Sequence, residues 1–205
     1  MNTSPSSAEL LPVACDLESV LATSELERRE NRKSNWEAET EAETELTRQL
    51  AKSPQDFFQK LVEEVLKLSL AESAGISLLD EKNARFVWPA IAGNLAPFLG
   101  GGTPRGFGPC GTVLDRDASV LFVRPQRHFT YLEPLSPALE EVLLIPFHVE
   151  GKAVGTIWAV IHSKDRHFQM EDRRLLQNLS NFASSAFKVL AGAGALEPLL
   201  HPKAP

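Results

Sequence analysis

Two long apolar segments joined by a short polar turn constrain the fold of this 205-residue chain most strongly. Residues 142–149 and 152–162 contain almost no charged side chains, and Glu150 and Gly151 separate them. Their length, their β-branched residues and the Glu-Gly turn are typical of a β-hairpin. Because both faces of these strands are apolar, we expect the hairpin to lie at the centre of a sheet that is covered on both sides.

The second strand of this hairpin divides its side chains between two faces, because successive residues of a strand point to opposite sides. One face carries the small residues Gly155 and Ala159 among isoleucines, and we expect it to contact helices, which approach closely where side chains are small. Val154, Thr156 and Trp158 lie on the other face. That face is expected either to form the floor of a pocket or to pack as ordinary core.

Amphipathic segments on both sides of the strands predict helices. Ser53 and Pro54 favour the start of one helix, and residues 171–190 have the apolar periodicity of another. An earlier hairpin is predicted within residues 76–91, and residues 93–137 hold most of the glycine and proline with little regular pattern. The order is therefore helix, hairpin, irregular crossover, strand, hairpin and helix.

Composition divides the chain into four predicted parts. The folded domain is expected at residues 53–191. A charged helical segment at residues 16–52 precedes it and has few apolar side chains, so it is expected to project into solvent or to pair with a second copy. Residues 1–15 and 192–205 are expected to be disordered tails.

Charge and composition argue against several functions. A net charge of -6 and a pI near 5.4 argue against binding to nucleic acid or to an anionic membrane. No stretch approaches the roughly 20 uninterrupted apolar residues of a membrane span. The first residues lack the pattern of a secretory leader, so a cytoplasmic protein is expected. Cys15 and Cys110 are too few for a disulfide framework or a thiolate metal site.

The strong hairpin and the segment after it resemble a known family. The segment LLIPFHVEGKAVGTIWAV, with Pro146 before the turn and Gly155 after it, is similar to the paired strands of GAF domains, and RHFQMEDRRLLQNLSNFAS resembles the last helix of that family. The resemblance covers about residues 54–190. It implies an α/β (α+β) fold, in which a central antiparallel sheet has the terminal helices packed on one face and a roof of loops and short helices on the other. Ligands of the family bind under that roof.

Two further motifs lie in the predicted roof. The segments PRGFGPCGTVLDR and RPQRHFTYL resemble those of a bacterial subgroup of GAF domains that often precede histidine kinases. The resemblance implies a bacterial signalling protein with a separate output partner, such as a histidine kinase. It names no ligand and no cofactor.

The roof also concentrates side chains that suit the recognition of a small molecule. Arginine forks match carboxylate or phosphate groups, and tyrosine stacks on rings, so an anionic or aromatic ligand is predicted. The alternative is a solvated loop whose arginines pair with Asp115, Asp117 or Glu133. The predicted ligand-binding residues are Arg105, Cys110, Thr112, Arg124, Arg127, His128, Tyr131, Thr156 and Trp158.

Cys110 lies in a tight Gly-Pro-Cys-Gly turn and has two interpretations, a thiol that contacts a ligand or a small buried residue beneath the turn. Some GAF domains attach a bilin to a cysteine followed by histidine, whereas Gly111 follows here. Another branch of the family reduces free methionine sulfoxide with several thiols, and Cys110 is the only cysteine of the predicted domain. The histidines lack metal-ligand spacing and no catalytic motif occurs, so neither a metal nor catalysis is predicted.

Together these features predict a sensory or regulatory module that binds a small molecule. It would signal through its terminal helices and through homodimerisation, and it would act on a separate protein. Two alternatives stay open. One is a ligand-free dimerisation module whose pocket is filled, and the other is a thiol-dependent methionine sulfoxide reductase.

Overall fold

Residues 14–201 are described by the computed structural model, and they form one sheet with helices packed against it. The strands are β1 Ser73–Asp80, β2 Arg85–Gly93, β3 Gly102–Pro104, β4 Val120–Val123, β5 Glu141–Val149 and β6 Lys152–Ile161. The helices are α1 Trp36–Lys52, α2 Phe57–Leu68, α3 Pro109–Arg116, α4 Met170–Gly192 and α5 Glu197–Leu200. Across the sheet the order is β3-β2-β1-β6-β5-β4, and all neighbouring strands are antiparallel. This architecture confirms the predicted α/β (α+β) fold.

The hairpin of β5 and β6 lies inside the sheet, as its apolar pattern predicts. Glu150 and Gly151 join the two strands with φ values of 53° and 78°, the left-handed conformation that the favoured two-residue hairpin turn requires. The register shifts between Phe147 and His148, so that Val154 is an extra residue of β6. Val154 consequently packs toward the helices, which corrects the face expected from strict alternation.

One face of the sheet is covered by α2 and α4. Phe58 of α2 and Leu179 of α4 are buried against a sheet surface that includes Ile76 and Ala159. On the outer side, α1 packs on α2 through the buried Leu46. The small side chains of β6 therefore face the helices, as predicted, and this layer contains the larger of the two apolar cores.

The opposite face is covered by a roof formed by α3 and the loops around it. A second apolar core lies there, in which Phe122, Val142 and Trp158 of the sheet meet Val113 of α3 and Leu132 of the crossover. Trp158 therefore faces the roof, as the alternation of β6 predicts. The sheet is thus covered on both of its faces.

The segment before α1 is not the continuous helix that its composition predicts. It forms two 3-10 helices, Leu17–Val20 and Thr23–Arg28, and wraps around β4 at the edge of the sheet. The Ala22 N–H donates to the Leu121 carbonyl oxygen at 2.9 Å, and the Leu121 N–H donates to Thr23 Oγ1 at 3.0 Å. An edge strand has backbone N–H and C=O groups without strand partners. The segment before α1 follows β4 because it supplies hydrogen bonds to some of these groups.

Two arginines then fix this segment to the domain, which corrects the expectation that it projects into solvent. Arg29 makes a bidentate pair with the buried Glu141 at 2.7 and 2.9 Å, and it donates to the Phe168 carbonyl oxygen at 2.7 Å. Arg32 pairs with the fully buried Asp172 at 2.9 Å. Because bidentate arginine pairs define both distance and orientation, the segment before α1 is part of the folded domain.

The C-terminal end also differs from the predicted disordered tail over residues 192–205. A short turn follows α4, and Leu196 after it is buried against the helix side of the sheet. Leu200 of α5 packs against the same core. Packing these leucines against the core removes their apolar surface from water, which holds the chain on the domain as far as His201.

The predicted N-terminal tail lies almost entirely outside the described residues, as do residues 202–205. Cys15 is described, and its N–H donates to the Arg127 carbonyl oxygen at 3.0 Å. The helices within residues 14–201 include none that is both long enough and apolar enough to cross a bilayer.

Candidate ligand-binding site

A cavity of about 150 Å³ lies between the sheet and the roof. Its lining is mostly apolar and comes from β2, β3, β5, β6, the first turn of α3 and the loops around them. The aromatic lining residues are Trp88, Phe98, Tyr131 and Trp158. Thr103 and Cys110 add polar groups to the lining. Three of the nine predicted binding residues, Cys110, Tyr131 and Trp158, therefore lie at one cavity.

The floor of the cavity depends on a close contact between neighbouring strands. Trp158 of β6 pairs with Gly75 of β1, and a Cβ atom on Gly75 would lie only 2.1 Å from the indole ring. The indole Nε1 donates to Ser77 Oγ at 3.1 Å. Glycine is therefore needed at position 75, because a side chain there would displace the ring that forms the floor.

Cys110 lies in the wall beside this floor, where Gly108 and Pro109 start α3. Its thiol donates to Ser77 Oγ at 3.2 Å and accepts from the Thr156 hydroxyl at 3.4 Å. Burial raises the pKa of the Cys110 thiol, so the thiol is neutral at neutral pH and is a poor nucleophile. Cys110 is thus a small buried residue beneath the turn that also lines the cavity, while Thr156 contacts it from outside the cavity lining.

Two hydroxyl groups lie at the edge of the cavity beside Gly108. The Tyr131 hydroxyl oxygen would be 2.4 Å from a Cβ atom on Gly108, and Thr103 Oγ1 would be 3.9 Å from it. The Tyr131 ring stacks on Phe107 with a centroid distance of 4.8 Å. Burial raises the pKa of the Tyr131 phenol, and the nearby Cys110 raises it further by a smaller amount. The Tyr131 phenol is therefore neutral at neutral pH, and the Thr103 hydroxyl carries no charge.

A chain of hydrogen bonds ties two walls of the cavity to the sheet. The Leu95 N–H donates to Ser73 Oγ at 3.1 Å, and this hydroxyl lies 2.9 Å from His162 Nε2. His162 Nδ1 lies 2.9 Å from the carbonyl oxygen of Ala138, next to the lining residue Leu139. A carbonyl oxygen only accepts, so His162 Nδ1 is the donor of this hydrogen bond. His162 therefore connects both walls.

Glu72 supports the backbone of the same histidine. Its carboxylate accepts from the His162 N–H at 2.7 Å and from the N–H and hydroxyl of Ser163 at 2.8 and 2.6 Å. Burial acts to raise the pKa of Glu72, but these hydrogen bonds outweigh it and the pKa lies below its ordinary value of 4.5. The contribution of Glu72 to stability is therefore complete above that pH and is lost as the pH falls further.

The basic residues of the crossover do not face the cavity, which corrects their predicted position. Arg124 and Arg127 are exposed, and Arg124 has a φ of 46° at the turn into the 3-10 helix Pro125–Arg127. His128 Nδ1 lies 2.6 Å from the Cys15 carbonyl oxygen. The loop buries its proline and leaves the guanidinium groups in water, because a charge that is buried without a partner loses its hydration.

Arg105 and Thr112 also lie outside the cavity lining. Arg105 donates to the Gly111 carbonyl oxygen at 3.3 Å and pairs with Asp115 at 2.7 Å. Arg105 therefore connects the loop before α3 to that helix. Its ion pair with Asp115 is one of the alternatives to ligand binding that the sequence left open. Thr112 is half-buried on α3.

Several lining residues are not identified by the sequence. Trp88 stands two positions after Phe86, so the alternation of β2 could have placed both side chains on the roof side. Phe98 and Leu139 lie in segments without a regular pattern, and only the fold brings them to one cavity. The role of Gly75 depends on strand register, which the sequence does not encode locally.

No charged side chain contributes to the cavity lining within residues 14–201. In the same part of the chain, no group of three or more histidine, cysteine, aspartate or glutamate side chains is arranged to hold a metal ion. The geometry therefore suits an uncharged, largely apolar molecule that forms few hydrogen bonds.

The sheet, with helices on one face and a roofed cavity on the other, defines an α/β domain with a candidate small-molecule site. The family model for the GAF domain matches residues 51–188, and the chain belongs to the GAF domain family. No curated protein matches the chain.

Solved structures of several bacterial proteins share the fold. The GAF domain of the Acinetobacter phosphoenolpyruvate-protein phosphotransferase is 21% identical over 78% of this chain and 97% of its own, with a TM-score of 0.66. Free methionine-R-sulfoxide reductase from Neisseria meningitidis, in complex with its substrate, is 16% identical over 80% and 97%, with a TM-score of 0.64. The second GAF domain of DevS from Mycobacterium smegmatis is 19% identical over 70% and 99%, with a TM-score of 0.55. At these identities the likeness shows the fold.

Proposed function

We propose that this chain is a sensory or regulatory module that binds a small molecule between its sheet and its roof. The observation that supports the proposal is the apolar cavity of about 150 Å³. Protein interiors are close-packed, and an apolar cavity of about this volume can hold a molecule the size of benzene. A module that serves only for dimerisation would be expected to have a filled pocket, so the cavity favours ligand binding.

The proposed route from the cavity to the helices runs through the segment before α1. Tyr131 lines the cavity, and the loop that carries it contacts Cys15 through the Arg127 carbonyl oxygen and His128. From Cys15 the chain passes around β4 to Arg29, which is bound to the end of the sheet, and then enters α1. A ligand that moves Tyr131 would therefore also move the segment that leads into α1.

The output of the module is proposed to be a separate signalling protein, such as a histidine kinase. The Acinetobacter and Mycobacterium relatives are GAF domains taken from larger proteins, which supports a regulatory role beside other components. We also propose a homodimer through the outer faces of α1 and α4, where Trp36 and Val189 are exposed. The free thiols of Cys15 and Cys110 fit the reducing conditions of the cytoplasm.

The reductase alternative receives less support from the geometry. The Neisseria relative is a methionine sulfoxide reductase, and thiol-dependent reduction needs a second thiol to resolve the first sulfur adduct. Of the two cysteines, Cys110 alone lines the cavity, and Cys15 is bound to Arg127. Burial also raises the pKa of the Cys110 thiol and so reduces its thiolate fraction. We therefore propose binding without catalysis.

Native mass spectrometry of the protein purified from its own cells tests the proposed function. We expect the wild-type protein to carry a small non-covalent adduct. The variant Val160→Phe should lose it, because the larger side chain extends from the lining into the cavity. The matched control Val149→Phe makes the same change at a partly exposed position of β5 outside the cavity lining and should keep the adduct. A wild-type protein without an adduct, or an adduct equally present in Val160→Phe, would contradict the proposal.

A further inference from the structure

We infer that the cavity binds an uncharged molecule with one aromatic ring and one hydrogen-bonding substituent, of which phenol is the simplest example. The inference rests on the proposed function, since it specifies the ligand of that same cavity. Three properties of the cavity support the inference, namely the volume of the cavity, the aromatic side chains of its lining and the position of its polar groups.

The volume of the cavity suits a ligand with one ring. The cavity measures about 150 Å³, and an apolar cavity of about that volume accepts benzene. Most ligand pockets for larger molecules are roughly 300–1,000 Å³. A nucleotide or a tetrapyrrole is therefore too large to be enclosed in the cavity as it stands.

The aromatic lining favours a ring over an aliphatic molecule of equal size. Trp88, Phe98, Tyr131 and Trp158 all contribute to the cavity surface. Aromatic pairs are stabilised beyond their buried area, because the positive edge of one ring meets the negative face of another. Four aromatic side chains around one cavity provide several such contacts for a bound ring.

The charge of the lining excludes an anion, which was one of the two ligand classes predicted from the sequence. Arg124 and Arg127 are exposed, and Arg105 is paired with Asp115 outside the cavity. A carboxylate in the cavity would lose its hydration and meet no cation. The aromatic class therefore remains, in an uncharged form.

The hydroxyl groups of Tyr131 and Thr103 give the inferred ligand its second feature. Both belong to residues of the mostly apolar lining, and both lie within 4 Å of the position that a Cβ atom on Gly108 would occupy. A ring substituent such as a hydroxyl group can donate to one of them and accept from the other. The ligand therefore needs one polar substituent, because more polar groups would be buried without partners.

Isothermal titration calorimetry with phenol, cyclohexanol and benzoate at neutral pH tests the inference on the wild-type protein. Phenol should bind about tenfold more tightly than cyclohexanol, since the aromatic contacts are lost with the saturated ring. Benzoate should bind at least about 100-fold more weakly than phenol, because its charge has no partner in the cavity.

Variants of the two hydroxyls test the polar contact separately. The double variant Thr103→Val and Tyr131→Phe should weaken phenol about tenfold, with toluene unchanged, since only the hydrogen bonds are removed. The matched control Thr130→Val removes a hydroxyl from an exposed neighbouring position and should bind phenol as the wild type does.

The outcomes separate this inference from the proposed function. Cyclohexanol or benzoate binding as tightly as phenol would overturn the inferred ligand class and leave the binding function intact. An adduct in native mass spectrometry, combined with no binding of phenol or toluene, would have the same meaning. The absence of both the adduct and probe binding would overturn the inference and the proposed function together.

Discussion

Replacing Asp172 with alanine is expected to lower the free energy of unfolding by about 3–5 kcal/mol. The Asp172 carboxylate is fully buried and accepts from the Arg32 side chain and from the Gln169 N–H, both at 2.9 Å. Gln169 is the N-cap of α4, so the substitution removes half of a reciprocal cap. The substitution also removes the counter-ion of the partly buried Arg32 guanidinium, whose Nε lacks a hydrogen-bond partner within residues 14–201.

Urea denaturation of the variant and the wild type measures this loss. Asp165→Ala is the matched control, because Asp165 is exposed shortly before α4 and its loss should change stability by no more than about 0.5 kcal/mol. If Asp172→Ala were as stable as this control, the ion pair between the segment before α1 and α4 would contribute nothing to the fold.

Replacing Trp158 with alanine is expected to cost about 3–5 kcal/mol of unfolding free energy. The Trp158 side chain is 7% exposed, covers Gly75 and donates to Ser77 Oγ. Its removal leaves a larger cavity and takes a donor from a buried hydroxyl. The expected loss thus combines cavity formation with a broken hydrogen bond.

Thermal unfolding with and without added indole measures both parts of this prediction. Indole should raise the Tm of Trp158→Ala, because it fills the vacated volume and binds only the folded state. The control Trp36→Ala changes a tryptophan that is 61% exposed and lies under Arg174 at 4.2 Å, and its loss should cost about 1 kcal/mol or less. Equal destabilisation by the two variants would contradict the role given to Trp158.

The fold could be predicted where its signals are local. The hairpin of β5 and β6 and the helix α4 follow from periodicity and turn residues, which act over short stretches of chain. The path of the segment before α1 could not be predicted, because Arg29 binds Glu141, which lies 112 positions further along the chain. A charged composition is typical of a solvated helix, and it gives no sign of such distant partners.

The candidate site was predicted only in part, for a related reason. Trp158 and Cys110 were found because strand alternation and a tight turn fix their faces. Arg124 and Arg127 were misplaced because residue type alone does not show which side of an irregular loop faces the core. Leu139 was missed because its place in the lining depends on a long-range link through His162.

A small molecule is proposed to bind between the sheet and the roof. An NMR titration with phenol that follows the three tryptophan indole N–H resonances tests it most directly. Trp88 and Trp158 line the cavity, whereas Trp36 lies on α1 and is exposed. The predicted result is large saturable shifts for Trp88 and Trp158 and a much smaller one for Trp36, which responds only to the segment that leads into α1. No shift for either lining residue, or an equal shift for Trp36, would contradict the claim.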